Sequence, residues 1–369
     1  MSTFSEHHER RLGLLQEALR ERGEEALWVE PSVGLFYLTG LEPVSLERLF
    51  GLLVLATERP KMVVPLLLAD ECEHVEVADH VVWSDAEGPK EATTKVLDGV
   101  SSLLVQGSLP VWSLRLLEKA RPGMKVDEDP RILSRMRERK EPDEVDLIRK
   151  SGALTDETVS WVGTLDLENL TERQLAGKIQ AHYLELGHRP SPFGLIATGV
   201  NTAMPHYVGG DVPISTEQLL LMDFGCAIDG YWSDITRIYF PRDLEEEVEE
   251  AYEIVCGAYE AAFDVLEPGV PCQEVDRAAR KVIENAGYGD AFLHRTGHGL
   301  GLEVHEEPYL RDGNEKPLEV GHVFSVEPGI YLQDRFGVRY ENIIHLGREG
   351  PESMNLSPRK HFFDAREGR

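Results

Sequence analysis

Residues 219–240, LLLMDFGCAIDGYWSDITRIYF, place an Asp-Gly dipeptide midway between two β-rich runs, and each run carries an acid. Asp-Gly at 229–230 is a favoured two-residue hairpin turn. Pairing Ile228 with Tyr231 across that turn sets Asp223 opposite Thr236, with Asp234 as the diagonal neighbour of Asp223 on the same face. Diagonal neighbours lie about 7–8 Å apart. Two acids facing inward among apolar strand residues are costly to bury unless a cation lies between them. The pattern therefore points to a metal held between the two acids, or else to two solvated acids at a sheet edge.

A second segment repeats the arrangement. In VFSVEPGIYLQDRFGVRYENIIHL, residues 323–346, a hairpin centred on Asp334 sets Glu327 directly opposite Glu341, with Gly337 as a candidate bulge. A third, HRTGHGLGLEVHEEP at 294–308, surrounds His298 with glycines that let the backbone approach a neighbour closely. A neutral imidazole is the natural nitrogen donor to complete an oxygen-rich site. His206, in MPHYVGG, His294 and His305 are further candidates. Four carboxylates and one imidazole can hold two divalent ions about 3.5–4 Å apart, sharing a water that becomes hydroxide near neutral pH. Such donors favour Mn²⁺ or Co²⁺, with Fe²⁺ and Zn²⁺ as alternatives, over a thiolate-type zinc site. The four cysteines (72, 226, 256 and 272) are too sparse for such a site or for a disulfide framework, and read as small buried hydrophobes. The chain has no GxSxG nucleophile motif, no GxGxxG after a strand and no GxxxxGK[ST]. TGHGLG lacks the lysine and the spacing of a phosphate loop.

The first third alternates a helix over 6–22 with short buried strands at Ala26–Val29, Phe50–Ala56, Lys61–Leu66, His80–Trp83 and Leu103–Gln106, with helices near 90–98 and 112–121. This is an α/β domain, taken as 1–133. Charge-dense residues 134–141 read as a linker, and Pro142 starts the first helix of a second domain, 142–369. There, helices at 142–163 and 171–186 precede strands at Phe193–Ala197, Gln218–Asp223 and Tyr231–Phe240. Helices at 244–266 and 272–286 precede strands at His322–Val326 and Val338–His345. The recurrence predicts a duplicated α+β half.

The formal charge is −28, from 66 Asp+Glu against 38 Lys+Arg, which disfavours nucleic-acid binding. With only 11 Lys against 27 Arg, the balance is that expected of a salt-adapted protein. No apolar run approaches the roughly 18 residues of a membrane span. The N-terminus, MSTFSEHHERRLGLL, has acids and histidines in place of a signal peptide's basic start and apolar core, so a soluble cytoplasmic protein is expected.

DFG…SDITR, HRTGHGLGLEVHEEP, EPGIY and GVRYEN, in this order, resemble the motifs of the pita-bread metallopeptidase superfamily. The resemblance is greatest to the Xaa-Pro peptidases (prolidase and aminopeptidase P) and to creatinase. It covers nearly the whole chain, including a creatinase/prolidase-like N-terminal domain with YLTG at 37–40. It implies an α/β N-terminal domain plus an α+β pita-bread catalytic domain with pseudo-twofold duplicated halves. The implied metal ligands are Asp223, Asp234, His298, Glu327 and Glu341, with Asp234 and Glu341 bridging two ions. His206 would contact substrate near the scissile bond, and His305 would stabilise the tetrahedral intermediate. His294 and Arg339 would lie near the proline-side pocket, and Glu327 would act as the general base. The implied activity is hydrolysis of Xaa-Pro bonds in short proline-containing peptides by a metal-bridging hydroxide, in a homodimer. Creatinase-like amidinohydrolases and non-catalytic binding proteins of the same fold are alternatives, but both commonly lose ligand positions. Asn342 and Ser151 depart from the common pattern without touching a ligand.

Overall fold

The computed structural model describes residues 4–42, 47–191 and 194–363. The chain divides into two compact units, Met1–Met136 and Arg137–Arg369.

The first unit contains strands β1 (Ala26–Val29), β2 (Gly51–Leu55), β3 (Lys61–Pro65), β4 (Asp79–Trp83), β5 (Ser102–Val105) and β6 (Lys125–Glu128), in the order β4-β3-β2-β1-β5-β6. β2 runs antiparallel to both neighbours, whereas β1–β5, β5–β6 and β3–β4 are parallel. Its helices are α1 (Phe4–Arg22), α2 (Val33–Thr39), α3 (Ala69–Cys72), α4 (Lys90–Val96) and α5 (Val111–Ala120). Trp28, Leu53, Val63, Val96 and Leu117 share one core, as the short apolar runs require. YLTG closes α2: Gly40 takes a left-handed φ of 72° and its N–H bonds Phe36 O. Helix α6 (Ile132–Glu138) leads into the second unit. Charges of the stretch read as a linker are buried there: the Lys140 ammonium lies 2.6 Å from Glu306, which Arg137 also binds.

The second unit shows the expected recurrence. Helices α7 (Pro142–Val162) and α8 (Glu172–Glu185) precede β7 (Arg189–Pro190), β8 (Leu195–Thr198), β9 (Leu220–Phe224), β10 (Cys226–Ile228), β11 (Tyr231–Trp232) and β12 (Ile235–Phe240). Helices α9 (Glu246–Asp264) and α10 (Cys272–Asn285) precede β13 (Gly297–Gly299), β14 (Glu306–Leu310), β15 (Val323–Val326), β16 (Gly329–Leu332), β17 (Phe336–Arg339), β18 (Asn342–Gly347), β19 (Gly350–Ser353) and β20 (Lys360–Phe362). Phe193, the expected start of a strand, lies outside the described residues. Two runs expected as single strands are interrupted, at 233–234 and at 340–341.

Alternation along β9 explains how the acids come to face inward. Leu220, Met222 and Phe224 pack into a core with Val159, Leu175 and Tyr183 of α7 and α8. Leu219 and Leu221 pack on the other face with Tyr252, Val255 and Val275 of α9 and α10. Because strand side chains alternate with period two, Asp223 shares this second face. On β12, Ile238 and Phe240 pack on this same face, and the period brings Thr236 with them. All four cysteines are buried and free, and burial pushes the Cys226 thiol up to about 11. No helix among the described residues is long and apolar enough to cross a membrane.

Candidate metal centre

Both hairpins form in the expected register. Ile228 pairs with Tyr231, and Thr236 with Asp223. Asp229 and Gly230 supply the positive φ values, 48° and 85°, that a primed two-residue turn demands. In the second hairpin, Val326 pairs with Asn342 and Gly329 with Arg339, so the same register on either side sets Glu327 against Glu341. Gly337 is no bulge: it pairs with Tyr331, and a Cβ there would meet Thr202 O at 2.1 Å. The register shift falls instead between His298 and Gly299. The glycines around His298 serve strand approach, since a Cβ on Gly297 would meet Ser325 O at 1.9 Å.

All nine residues singled out in the sequence line one cavity of about 930 Å³. At its floor, one donor atom each from Asp234, His298 and Glu341 lies within 4.8 Å of the others, and all three residues are buried. Glu327 Oε1 is 3.4 Å from His298 Nε2. The Asp234 carboxyl is raised well above the usual carboxylate range by burial and by repulsion from Glu341 and Asp223. Glu341 is raised by burial, then by Glu327 and Asp223. Glu327 is raised to about 7, by burial first. The His298 imidazole is held neutral by burial, then by neighbouring His305. Its Nδ1–H donates to Gly299 O at 3.1 Å, which leaves the Nε2 lone pair facing the acids. Asp223 Oδ1 and Glu341 Oε1 are buried without a hydrogen-bond partner among the described residues. Crowded carboxylates, orphaned oxygens and a neutral imidazole are the environment that divalent cations satisfy, so the donor set fits the metal ions expected of it.

A polar network braces the acids. Arg339, almost fully buried, donates to Asp223 Oδ2 at 2.6 Å, to Thr236 Oγ1 at 2.8 Å and to Tyr331 Oη at 2.7 Å. Thr236 donates in turn to Glu341 Oε2 at 2.7 Å. Tyr331 donates to His294 Nε2 at 2.9 Å, because His294 Nδ1–H is committed to Arg295 O. Burial, then Arg339, lowers His294 to about 3. Behind Glu341, fully buried Arg237 binds the Glu341 carbonyl at 2.6 Å and Asn342 Oδ1 at 2.7 Å. His206 and His305 are the exposed histidines of the cavity; the His305 ring lies 4.2 Å from that of His298.

Sequence reasoning did not single out Thr236, Tyr331, Arg237 or Arg295. Thr236 was accessible, since the register already placed it opposite Asp223. Arg295 lies within a motif read for its histidines. It lines the cavity with its guanidinium 4.3 Å over the Tyr309 ring and has no carboxylate partner among the described residues.

Residues 146–348 match the model of metallopeptidase family M24, and residues 11–138 match the creatinase/prolidase N-terminal domain. A probable dipeptidase PepE of Mycobacterium tuberculosis is 34% identical over 363 residues, covering 96% of each chain. A putative dipeptidase YkvY of Bacillus subtilis is 32% identical, covering 92% of this chain and 96% of that one. Among solved structures, a recombinant prolidase from Thermococcus sibiricus superposes with a TM-score of 0.91 at 34% identity, covering 96% of this chain and 98% of that one. Dipeptidase PepE from Mycobacterium ulcerans gives 0.90 at 33% identity, covering 98% and 100%.

Proposed function

We propose that this chain, a member of metallopeptidase family M24, is a two-metal exopeptidase that hydrolyses Xaa-Pro bonds in short peptides, dipeptides above all. The observation that carries the reading is the convergence of Asp234, His298 and Glu341 on one point, with Asp223 and Glu327 beside them. These five side chains would hold two divalent ions, Mn²⁺ or Co²⁺ by the hardness of the oxygen donors. The chemistry such ions would supply there is a water of lowered pKa and polarisation of a carbonyl.

The other roles belong to the chain itself. Arg339 fixes Asp223, and through Thr236 it fixes Glu341, so that neither acid can swing away. Glu327, whose Oε1 lies 3.4 Å from His298 Nε2, would move the proton between water and leaving nitrogen at its Oε atoms. His305 donates to the developing oxyanion. His206 meets the substrate at the cavity rim. Arg295 offers unclaimed donors to a free carboxylate, which a dipeptide presents one residue from the scissile bond and a longer peptide does not. A bond preceding proline lacks the N–H that ordinary peptidases grip, and capture of the free carboxylate compensates. The intact donor set speaks against a creatinase-like amidinohydrolase.

Xaa-Pro dipeptides should be hydrolysed faster than Xaa-Pro-Yaa tripeptides with Mn²⁺ or Co²⁺ added, and Arg295→Gln should erase that preference. Equal rates on both substrates in the parent enzyme overturn the dipeptide assignment. Absence of Xaa-Pro hydrolysis with either metal overturns the whole reading.

A further inference from the structure

Glu172 opens α8 directly after its N-cap, Thr171, and its side chain has no exposure to solvent. The carboxylate takes no part in the metal centre. Its Oε1 accepts from Thr198 N at 2.8 Å and from Asn201 Nδ2 at 3.0 Å. Its Oε2 accepts from Tyr207 Oη at 2.7 Å and from Gly210 N at 3.0 Å. Two of these donors precede His206 in the chain and two follow it. Asn201 also donates to Tyr207 Oη at 3.1 Å, which ties the two sides together. The helix start itself grips the far end of the loop: Arg173 N donates to Gly210 O and Glu172 N to Val212 O, each at 3.0 Å. Burial, then Glu172, raises Tyr207 to about 12, so its hydroxyl stays protonated and donating at any working pH.

His206, in the middle of this loop, is exposed at the cavity, and the residues two positions to either side offer little packing. Met204 is 44% exposed and Val208 is 93% exposed. Tyr207 packs its ring against the core and Thr202 Oγ1 accepts from Gly337 N at 2.8 Å, but the one group that ties both sides of His206 together is a buried carboxylate with four donors around it. A carboxylate has about four lone-pair sites, and here all are filled. Each oxygen meets a backbone N–H, from Thr198 or from Gly210. A glutamine at 172 therefore turns its NH₂ against a backbone N–H in either orientation, and a backbone donor cannot reverse its role.

We propose that Glu172 is a positioning residue for His206: it sets where the imidazole meets the substrate without touching substrate or metal. This role rests on the reading that His206 contacts the substrate. The experiment is a double-variant cycle on the full, metal-loaded chain with an Xaa-Pro dipeptide as substrate. Glu172→Gln should lower kcat/KM about 10- to 100-fold, the scale of a displacement near 1 Å at a reacting group, with metal content per chain unchanged. In a His206→Ala background the same substitution should cost less than about twofold, because its effect passes through the missing ring. Unchanged kcat/KM in Glu172→Gln, or a loss that adds in full to that of His206→Ala, overturns the positioning role alone. A His206→Ala enzyme with parental kcat/KM overturns the reading of His206, and the role of Glu172 falls with it. Should Glu172→Gln fail to fold, Tyr207→Phe removes one donor and leaves the carboxylate in place. A smaller fall that vanishes in the His206→Ala background supports the role, and a fully additive or absent fall overturns it.

Discussion

The segments carrying His206 and His298 follow the second helix of their respective halves, and each is tied to a buried carboxylate on that helix, yet they are held very differently. His298 stands within β13, paired with β14 on one side and β15 on the other. Asp276 on α10 accepts from both the N–H and the hydroxyl of Thr296, and Arg280, its ion-pair partner, donates to the carbonyls of Phe292 and His294. His206 lies in no strand, and the loop around it gathers on Glu172 through neutral donors alone. Crowded carboxylates resist ionisation unless cations sit between them, and a donor that must meet such cations needs the stiffness of a sheet. A side chain proposed to meet an arriving and departing substrate, as His206 is, can be held by fewer, replaceable bonds.

The sharpest division between the halves comes at Asp234 and Glu341, the two acids proposed to be shared. Asp234→Asn and Glu341→Gln should each abolish turnover and lower bound metal toward one ion or none, read by activity and metal analysis of the same samples. Parental metal content and activity in both variants would show that the centre lies elsewhere.

His305→Ala tests whether an exposed histidine beside β13 behaves as a ligand or as a substrate group. It should keep its metals and lose about 10²- to 10³-fold in kcat, the cost typical of one missing oxyanion donor. Loss of metal would move His305 to the rigid side of the comparison.

Asp276→Asn should show how far the stiffness of β13 depends on its clamp. Removing an ionised acceptor from buried donors costs about 2–3 kcal/mol, so the melting midpoint should drop by several degrees and metal affinity should weaken. Glu172→Gln should lower turnover at unchanged metal content. If Asp276→Asn also leaves metal affinity untouched, the two clamps are equivalent and the contrast fails.

The smallest effect concerns the surface. Asp243–Glu250 (DLEEEVEE), leading into α9, sets like charges at helical spacing. Salt shortens the Debye length from about 10 Å at 0.1 M to about 3 Å at 1 M. If the acidic surface is salt-adapted, the melting midpoint of the metal-loaded protein should keep rising into molar KCl with activity retained. A flat or falling midpoint rules that out.

The helices and the hairpin registers were legible because their causes are local. Pro142 and a capping box start α7, and Asp229-Gly230 admits one tight turn geometry. From one turn, counting in twos reaches the acids. The interruption at 340–341 was not legible, because its partners lie far along the chain. The Glu341 carbonyl turns to Arg237, 104 residues away in sequence, and Arg237 reaches on to Ser357 O, a further long-range partner. Gly337 was misread as a bulge for the same reason, since the atom that excludes its side chain belongs to Thr202.

The sequence by itself determined which residue types could form the site and in what register, since turn chemistry and the period of a strand act within a few residues. It also set the order of elements in the two halves. The tertiary structure alone decided that the two hairpins and His298 converge on one cavity, that Arg339 is spent on Asp223, Thr236 and Tyr331, and that Glu172 and Asp276 hold the loops. Burial and electrostatic crowding depend on which distant segments meet. A carboxylate such as Glu327 has no raised pKa until the fold encloses it beside other acids.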